Sequence, residues 1–365
     1  MKTRKLNFLL MIVATVFLAG CDSELSTSSL KKTLDNDVQS LTVAINKITA
    51  SSDFQLMTEM TDPSQNVGML KAPGIVEGEY MPNDTVLISL DKISGVYEYS
   101  WKRVKANSAL LRFFTRTAEN PYMIVRLPVQ KVRNPKALFG FQPADTLLTN
   151  NFEASVSDYY VFRNRVAGNE YRLTSDFSID NTKIGTLTEL RTRNKVNGFN
   201  SSSVYALTSG YTVTRTENSG DTAQSVYAIS EGSKVLKKEK MVSVKVVDQR
   251  NRHRENTYSL TIGDVQIVRQ RGPNSLDSAK VYVAGVLQTN AKVEVVLQQT
   301  DSLNQGVTDA KRDLQITFDD GTVTTVRTLM GNTVDEIGKI FRAARQASFA
   351  TDIIDRIAWN IYTRK

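Results

Sequence analysis

The amino-acid sequence predicts an α+β protein: a mainly antiparallel β-sheet, a meander or a part-closed barrel, with an N-terminal and a C-terminal amphipathic helix. Near both ends, apolar residues recur at intervals of three and four, the spacing of one helix face. Between them the pattern changes to a period of two, in runs separated by turn residues with no helical pattern between. Seven of the eight prolines (Pro63, Pro73, Pro82, Pro121, Pro128, Pro135, Pro143) precede residue 150, and the eighth is Pro273. Residues 144–272 therefore lack the residue that interrupts paired strands, and long ladders are expected there. With 365 residues, 41% hydrophobic and 23% charged, the chain has ample material for a core.

The chain opens with three cations, Lys2, Arg4 and Lys5, followed by an uncharged run from Leu6 to Phe17. This is the layout of a signal peptide; a membrane span needs about 18 or more apolar residues. Leu18-Ala19-Gly20-Cys21 comes next and resembles the lipobox of bacterial lipoproteins. The small residues at 19 and 20 admit the chain to the signal peptidase, and the Cys21 thiol is the atom that takes a diacylglycerol. The resemblance implies cleavage between Gly20 and Cys21 and acylation of the new amino terminus. Each buried acyl carbon contributes about 0.8 kcal/mol, so several chains on one residue hold a protein on a bilayer. Residues 1–20 read as a signal peptide, and residues 21–29 as the acylated cysteine with a polar tether of Ser and Thr. Losing Lys2, Arg4 and Lys5 lowers the net charge from +8 to +5, too mild an excess to indicate nucleic acid.

Asp22 and Glu24 follow the anchor. An Asp after the cysteine is similar to the inner-membrane retention signal of enterobacterial lipoproteins, whereas acidic residues there are similar to the surface-export signal of Bacteroidota lipoproteins. The segment Ile93-Ser94-Gly95-Val96-Tyr97-Glu98-Tyr99 leading to Trp101 resembles Bacteroidota β-rich lipoproteins of unassigned function, which tips the expectation toward the outer membrane.

In the body, Leu30, Leu34, Val38, Leu41, Ile45 and Ile48 mark one helix face, with Ser28 or Ser29 as its cap. Strand-like runs follow at Val86–Leu90, Gly95–Trp101, Leu110–Phe114 and Met123–Pro128. A boundary near Thr149 separates this first β-rich region, 30–149, from a second, 150–330. There Tyr171, Leu173, Ser175, Phe177 and Ile179 alternate with polar neighbours, as on a half-buried strand. Further runs are Ser203–Leu207, Tyr211–Arg215, Ser225–Ile229, Met241–Val247, Thr257–Ile262, Val265–Arg269, Lys280–Val286 and Lys292–Leu297. Asp319-Asp320-Gly321 between Leu314–Phe318 and Thr322–Thr328 signals a hairpin. In 331–365, Thr333-Val334-Asp335-Glu336 matches a capping box that opens a helix, with a break expected near Ser348.

Cys21 is the single cysteine and His253 the single histidine, which excludes intrachain disulfides, iron–sulfur clusters and multi-His metal sites. His253 lies in Arg250-Asn251-Arg252-His253-Arg254, read as a solvated turn with no nucleophile or orienting carboxylate brought to it. Phosphate-loop and nucleophile-elbow motifs are missing, and Ser28-x-x-Lys31 and Asp35-Asn36-Asp37 match catalytic and calcium motifs only formally. No catalytic residue, metal or cofactor is expected, apart from paired carboxylates that a fold could bring together.

Basic stretches at Arg191–Lys195, Lys234–Lys240, Arg250–Arg254 and Arg269–Arg271 suit either contact with lipid phosphates or an acidic glycan, or solvated strand faces. Asp, then Ser or Thr, then a small or apolar residue occurs at Asp84-Thr85-Val86, Asp145-Thr146-Leu147, Asp221-Thr222-Ala223, Asp277-Ser278-Ala279 and Asp301-Ser302-Leu303. This looks like the O-glycosylation acceptor motif of Bacteroidota envelope proteins, with Thr85, Thr146, Thr222, Ser278 and Ser302 as acceptors. Chance supplies roughly two such triplets.

The expected function is a non-enzymatic binding or scaffold module, lipid-anchored at the cell outer membrane on its periplasmic face or the cell surface. Its partners are the membrane, through the acyl chains, and a protein, lipid or glycan, without nucleic acid. Two alternatives are a lipid or lipoprotein carrier with an acyl cavity, and a cell-surface glycan-capture protein whose tyrosines replace the scarce tryptophans Trp101 and Trp359.

Overall fold

The computed structural model describes residues 24–60, 85–100, 113–133, 147–164, 166–194, 198–247, 252–271, 278–298 and 311–362. The expected α+β architecture is present: one large, mostly antiparallel sheet that is not closed, with helices from both ends of the chain.

Helix α1 (Thr27–Ala50) forms where the spacing placed it, and Leu30, Leu34, Val38, Leu41, Ile45 and Ile48 are all buried together with Ala44. Its cap lies earlier than expected, at Ser26, whose hydroxyl accepts from the Ser29 amide at 3.2 Å. The expected tether is correspondingly shorter. The Glu24 carboxylate accepts from the Thr289 hydroxyl at 2.8 Å and the Asn290 amide at 3.0 Å, and the Leu25 amide donates to the Gln288 side chain at 2.9 Å. Helix α2 (Ser52–Thr58) continues α1 after a bend at Ser51.

The proline-rich region makes short elements: β1 (Val86–Ser89), α3 (Leu90–Ile93), β2 (Gly95–Tyr99), β3 (Phe114–Ala118), β4 (Met123–Leu127) and α4 (Val129–Arg133). β3 begins where the apolar run Leu110–Phe114 ends. Beyond Phe114 its residues are exposed, so no burial imprinted an alternating pattern on them. β2 pairs β3 antiparallel and β4 parallel.

The proline-poor region makes long strands: β5 (Phe152–Asn164), β6 (Gly168–Ile179), β7 (Thr182–Asn194), β8 (Gly198–Leu207), β9 (Tyr211–Ser219), β10 (Thr222–Glu231), β11 (Lys234–Val247) and β12 (Arg252–Ile262). After these come β13 (Val265–Arg271), β14 (Ser278–Val283), β15 (Val286–Gln298), β16 (Lys311–Phe318) and β17 (Val323–Thr325). From β5 to β17 each strand pairs antiparallel with the next, an unbroken meander. Residue 149 marks a change of strand length and not a break in the sheet, because β4 and β1 both pair with β5.

Tight turns explain the register. Asp180 and Asn181 take φ of 48° and 63° between β6 and β7, as a two-residue turn with the twist of its flanking strands requires. At the β12–β13 turn, Gly263 (φ 55°) is irreplaceable: a Cβ there would lie 2.5 Å from Cγ of Asp37, whose Oδ2 accepts from the Asp264 and Val265 amides at 2.9 and 3.2 Å. Asp37 thus fastens α1 across the sheet. Asp53 fastens α2, accepting from the Thr208 hydroxyl at 2.9 Å and the Ser209 amide at 2.7 Å. The expected hairpin at Gly321 (φ 80°) forms, but β17 is only three residues long and passes into α5 (Val326–Met330).

Helix α6 (Thr333–Tyr362) runs 30 residues without the expected break at Ser348. A stripe of buried alanines, Ala343, Ala347 and Ala350, lets the helix settle closely and continuously, so no kink is needed to fit it. Thr333 does not serve as the capping-box residue. The Asn332 carbonyl accepts the first helical bonds, and the Thr333 hydroxyl meets that of Thr42 on α1 at 2.9 Å. No described helix is long and apolar enough to cross a membrane.

The helices cover one face of the sheet. On that inner face Phe152, Tyr159, Leu173, Phe177, Leu187, Tyr205, Ile229, Leu260 and Ile267 are buried beneath the helices, α2 as well as α1 and α6, each contributing about 1.5–3 kcal/mol. The opposite, outer face carries the alternate residues of the same strands and has no described helix on it.

Candidate functional site

The outer face of β7–β10 differs from the rest of the sheet. Register places Thr192, Asn200, Asn218 and Gln224 in one cross-strand row. The next rows are Leu190, Ser202, Thr216 and Val226, then Thr188, Val204, Thr214 and Ala228, then Thr186, Ala206, Thr212 and Ser230. None of these four rows holds a charged or aromatic residue. On either side charge returns, with Glu170, Arg172, Asp176 and Lys183 on β6 and β7 and Lys238 and Lys240 on β11. A trough of about 220 Å³ runs between the first two rows. Glu217 also borders it, but its carboxylate is held on the inner face by Arg215 at 2.6 Å and the Tyr227 hydroxyl at 3.3 Å.

The inner face carries a second constellation, beneath α6. Three strands each place a cation and a carboxylate two residues apart on that face: Glu189 with Arg191 on β7, Arg215 with Glu217 on β9, and Lys237 with Glu239 on β11. Each cation also lies over an aromatic ring, Arg191 over Tyr171 at 4.8 Å, Arg215 over Tyr227 at 5.7 Å and Lys237 over Phe341 of α6 at 5.6 Å. α6 adds Asp352 and Asp355, and Oδ1 of Asp355 accepts from the hydroxyls of Tyr159 at 3.0 Å and Tyr171 at 3.1 Å. Burial pushes Asp355 up to about 7 and Asp352 up to about 6, against the opposing pull of Arg191. Burial is the largest influence on Arg191 and works to neutralise it, but Glu189, Tyr171, Asp355 and Asp352 together outweigh it and hold the guanidinium above its ordinary value. Glu189, Arg191, Tyr159 and Tyr171 are all buried, so this is a closed ionic fastening between helix and sheet, not a cleft open to substrate.

The fastening makes stability depend on pH. Asp355 ordinarily titrates near 3.8, so between that value and about 7 the folded protein holds a proton that the unfolded chain has released, and stability falls as pH rises through the window. Asp355→Asn keeps the acceptor for both tyrosines and removes the titration. It should be more stable than wild type at pH 8 by about 2–4 kcal/mol, the lower end reflecting the solvent that still reaches this residue, and should lose the wild-type slope between pH 5 and 8. Urea unfolding at both pH values measures this, and equal slopes for the two proteins would contradict it.

Of the residues singled out by sequence, Leu18, Ala19, Gly20, Cys21, Thr146 and Ser302 lie outside the described residues. Thr85 is exposed and its hydroxyl accepts from Asn164 at 2.8 Å, Thr222 is exposed at the first position of β10, and Ser278 is the first residue of β14. All three stand at the end of the sheet opposite Glu24 and Leu25. That separation is roughly 45 Å along a 14-residue strand such as β11. His253 is not on a turn: it sits in β12 opposite Val246, with Nε2 3.8 Å from Glu255. The basic stretches do not share one face. Lys237, Lys245, Arg254 and Arg269 fall on the inner side and Lys238 and Lys240 on the outer. Two of these cations, Arg191 and Lys237, are buried in ion pairs where solvated faces were expected, because each has a carboxylate two residues away.

The tyrosine platform expected for glycan capture is not on the outer face of β7–β10. Tyr171, Tyr205, Tyr211 and Tyr227 face inward, Trp359 stacks under Arg163 at 4.4 Å, and Trp101 lies outside the described residues. Among the described residues no group of three His, Cys, Asp or Glu side chains is placed to hold a metal. No family model, no curated protein and no solved structure matches this chain.

Proposed function

We propose that the protein is a membrane-anchored envelope lipoprotein of the outer membrane, a non-enzymatic binding or scaffold module that presents the uncovered face of its sheet. The single observation that carries this reading is the one-sided covering. The 17-stranded sheet has all its described helices on one face, and no described helix lies over the other face across β5–β16. An antiparallel sheet tolerates one solvated face, and a presenting module puts such a face to use. The lipobox-like segment supports the anchor, and the placement of Glu24 and Leu25 at one end of the sheet is the geometry by which an anchored chain projects the opposite end outward.

The carrier alternative would need an acyl-sized apolar space. The apolar crevice between α1, α5 and strands β12–β13, bordered by Leu34, Val38, Leu260, Ile262 and Leu329, has a volume of about 10 Å³. That is space for one water molecule and not for an acyl chain.

Separation of inner and outer membranes on a density gradient tests the reading. The full-length wild-type protein should sediment with the outer membrane, resist extraction by carbonate and be released by detergent. Recovery in the soluble or inner-membrane fraction would overturn it.

A further inference from the structure

We infer that the outer face of β7–β10 is a binding site for an uncharged polysaccharide. The inference rests on the presenting-module reading and names the ligand class of that surface. Across the four rows, eight positions carry a hydroxyl (Thr186, Thr188, Thr192, Ser202, Thr212, Thr214, Thr216, Ser230) and three an amide (Asn200, Asn218, Gln224). Hydroxyls and amides both donate and accept hydrogen bonds, as sugar hydroxyls do, so each partner can satisfy the other without a fixed polarity. Asn218 and Gln224 make no side-chain hydrogen bond to any described residue, which leaves their amides available on the trough.

Other ligand classes fit poorly. A phosphorylated or acidic partner needs cations, and the four rows have none; the nearest, Lys238 and Lys240, stand outside them on β11. A protein partner is usually held by Trp, Tyr or Arg anchors at the centre of the patch, and these rows hold none of the three. The rows are too polar to take up a lipid surface, since the aliphatic positions Leu190, Val204 and Val226 are isolated among hydroxyls. Those aliphatic groups do suit the C–H faces of sugar rings. The strands are spaced about 4.8 Å apart, so the Thr192–Gln224 row sets a hydroxyl and three amides at even steps along a line. A repeating ligand meets a repeating surface, and weak contacts at each unit add through multivalency. Without an aromatic platform a single monosaccharide gains little here, so the site is suited to a polymer.

The test is affinity electrophoresis of the detergent-solubilised full-length protein through gels containing a neutral β-glucan, α-mannan or galactan, or anionic polygalacturonate. At least one neutral polymer should retard the wild type, with polygalacturonate having no effect. Asn218→Lys and Gln224→Lys, both on the open face, should each weaken retardation about tenfold, because a buried-on-binding amide pair is lost and an uncompensated charge enters the contact. A control, Lys280→Gln, on the same outer face but beyond β11, should leave it unchanged. Retardation by polygalacturonate alone, no retardation by any neutral polymer, or retardation indifferent to Asn218→Lys would each overturn the inference. A dimer on size exclusion that Asn218→Lys dissociates, with no retardation by polymer, would overturn it in favour of self-association through this face. None of these substitutions touches Cys21, so the membrane gradient judges the anchored-module reading separately.

Discussion

Arg191→Leu should lower the stability of the fold by about 3–5 kcal/mol, a large share of the 5–15 kcal/mol that most domains possess. The reason is what the substitution leaves behind. The Glu189 side chain is 3% exposed and pairs with Arg191, so removing the guanidinium takes a compensating charge away from a buried carboxylate. The ring of Tyr171 loses the cation 4.8 Å above it at the same time. Asp355 loses the positive charge that favours its ionised form, which pushes its pKa still higher. The double change Glu189→Leu with Arg191→Leu removes both charges together and should recover most of the loss, since well-packed apolar groups commonly replace a buried pair at little cost. Urea midpoints at unchanged slope measure both effects. A single variant within 1 kcal/mol of wild type, against the roughly 3–5 expected, would show that water reaches Glu189 and that the fastening under α6 is loose.

Cys21→Ala should shift the protein from the membrane pellet to the soluble fraction almost completely. On the proposed anchoring, the thiol is the sole attachment point for diacylglycerol, and no described helix is long and apolar enough to hold the chain in a bilayer by itself. With about 0.8 kcal/mol for each buried acyl carbon, losing the chains removes far more affinity than a net charge of +5 restores. The folded body should be unaffected, because the contacts of Glu24 and Leu25 that tie the start of α1 to β15 are made by residues the substitution leaves in place. Persistence of Cys21→Ala in the membrane pellet after carbonate treatment would mean that something other than acylation holds it there.

Much of the fold was legible in the sequence because burial and period coincide in it. α1 followed from six apolar residues at helical spacing, and β6 from the strict alternation of Tyr171 to Ile179, since each has one dry face and one wet face. The proline gap foretold the long strands β5–β12. What escaped was where those strands end and the edge strand β3. The ends of β8, β9 and β10 run on through Asn200, Glu217 and Gln224, where cross-strand pairing and not apolar burial holds the ladder. Pairing is long-range information, absent from any local window.

The candidate site was illegible for the same reason. Thr192, Asn200, Asn218 and Gln224 are ordinary polar residues spread over 33 positions, and only the register makes them neighbours. The ionic fastening left a faint local trace, since Glu189-x-Arg191, Arg215-x-Glu217 and Lys237-x-Glu239 each place opposite charges on one face of a strand. The alternation alone does not say that this is the buried face.

Mass spectrometry of the mature amino terminus, on wild-type protein extracted from membranes, tests the anchoring on which the proposed function depends. The account predicts a terminal peptide that begins at Cys21, lacks residues 1–20 and carries the added mass of a diacylglyceryl group with a further acyl chain on its amine. A terminal peptide that retains residues 1–20, or one in which Cys21 is unmodified, would contradict it.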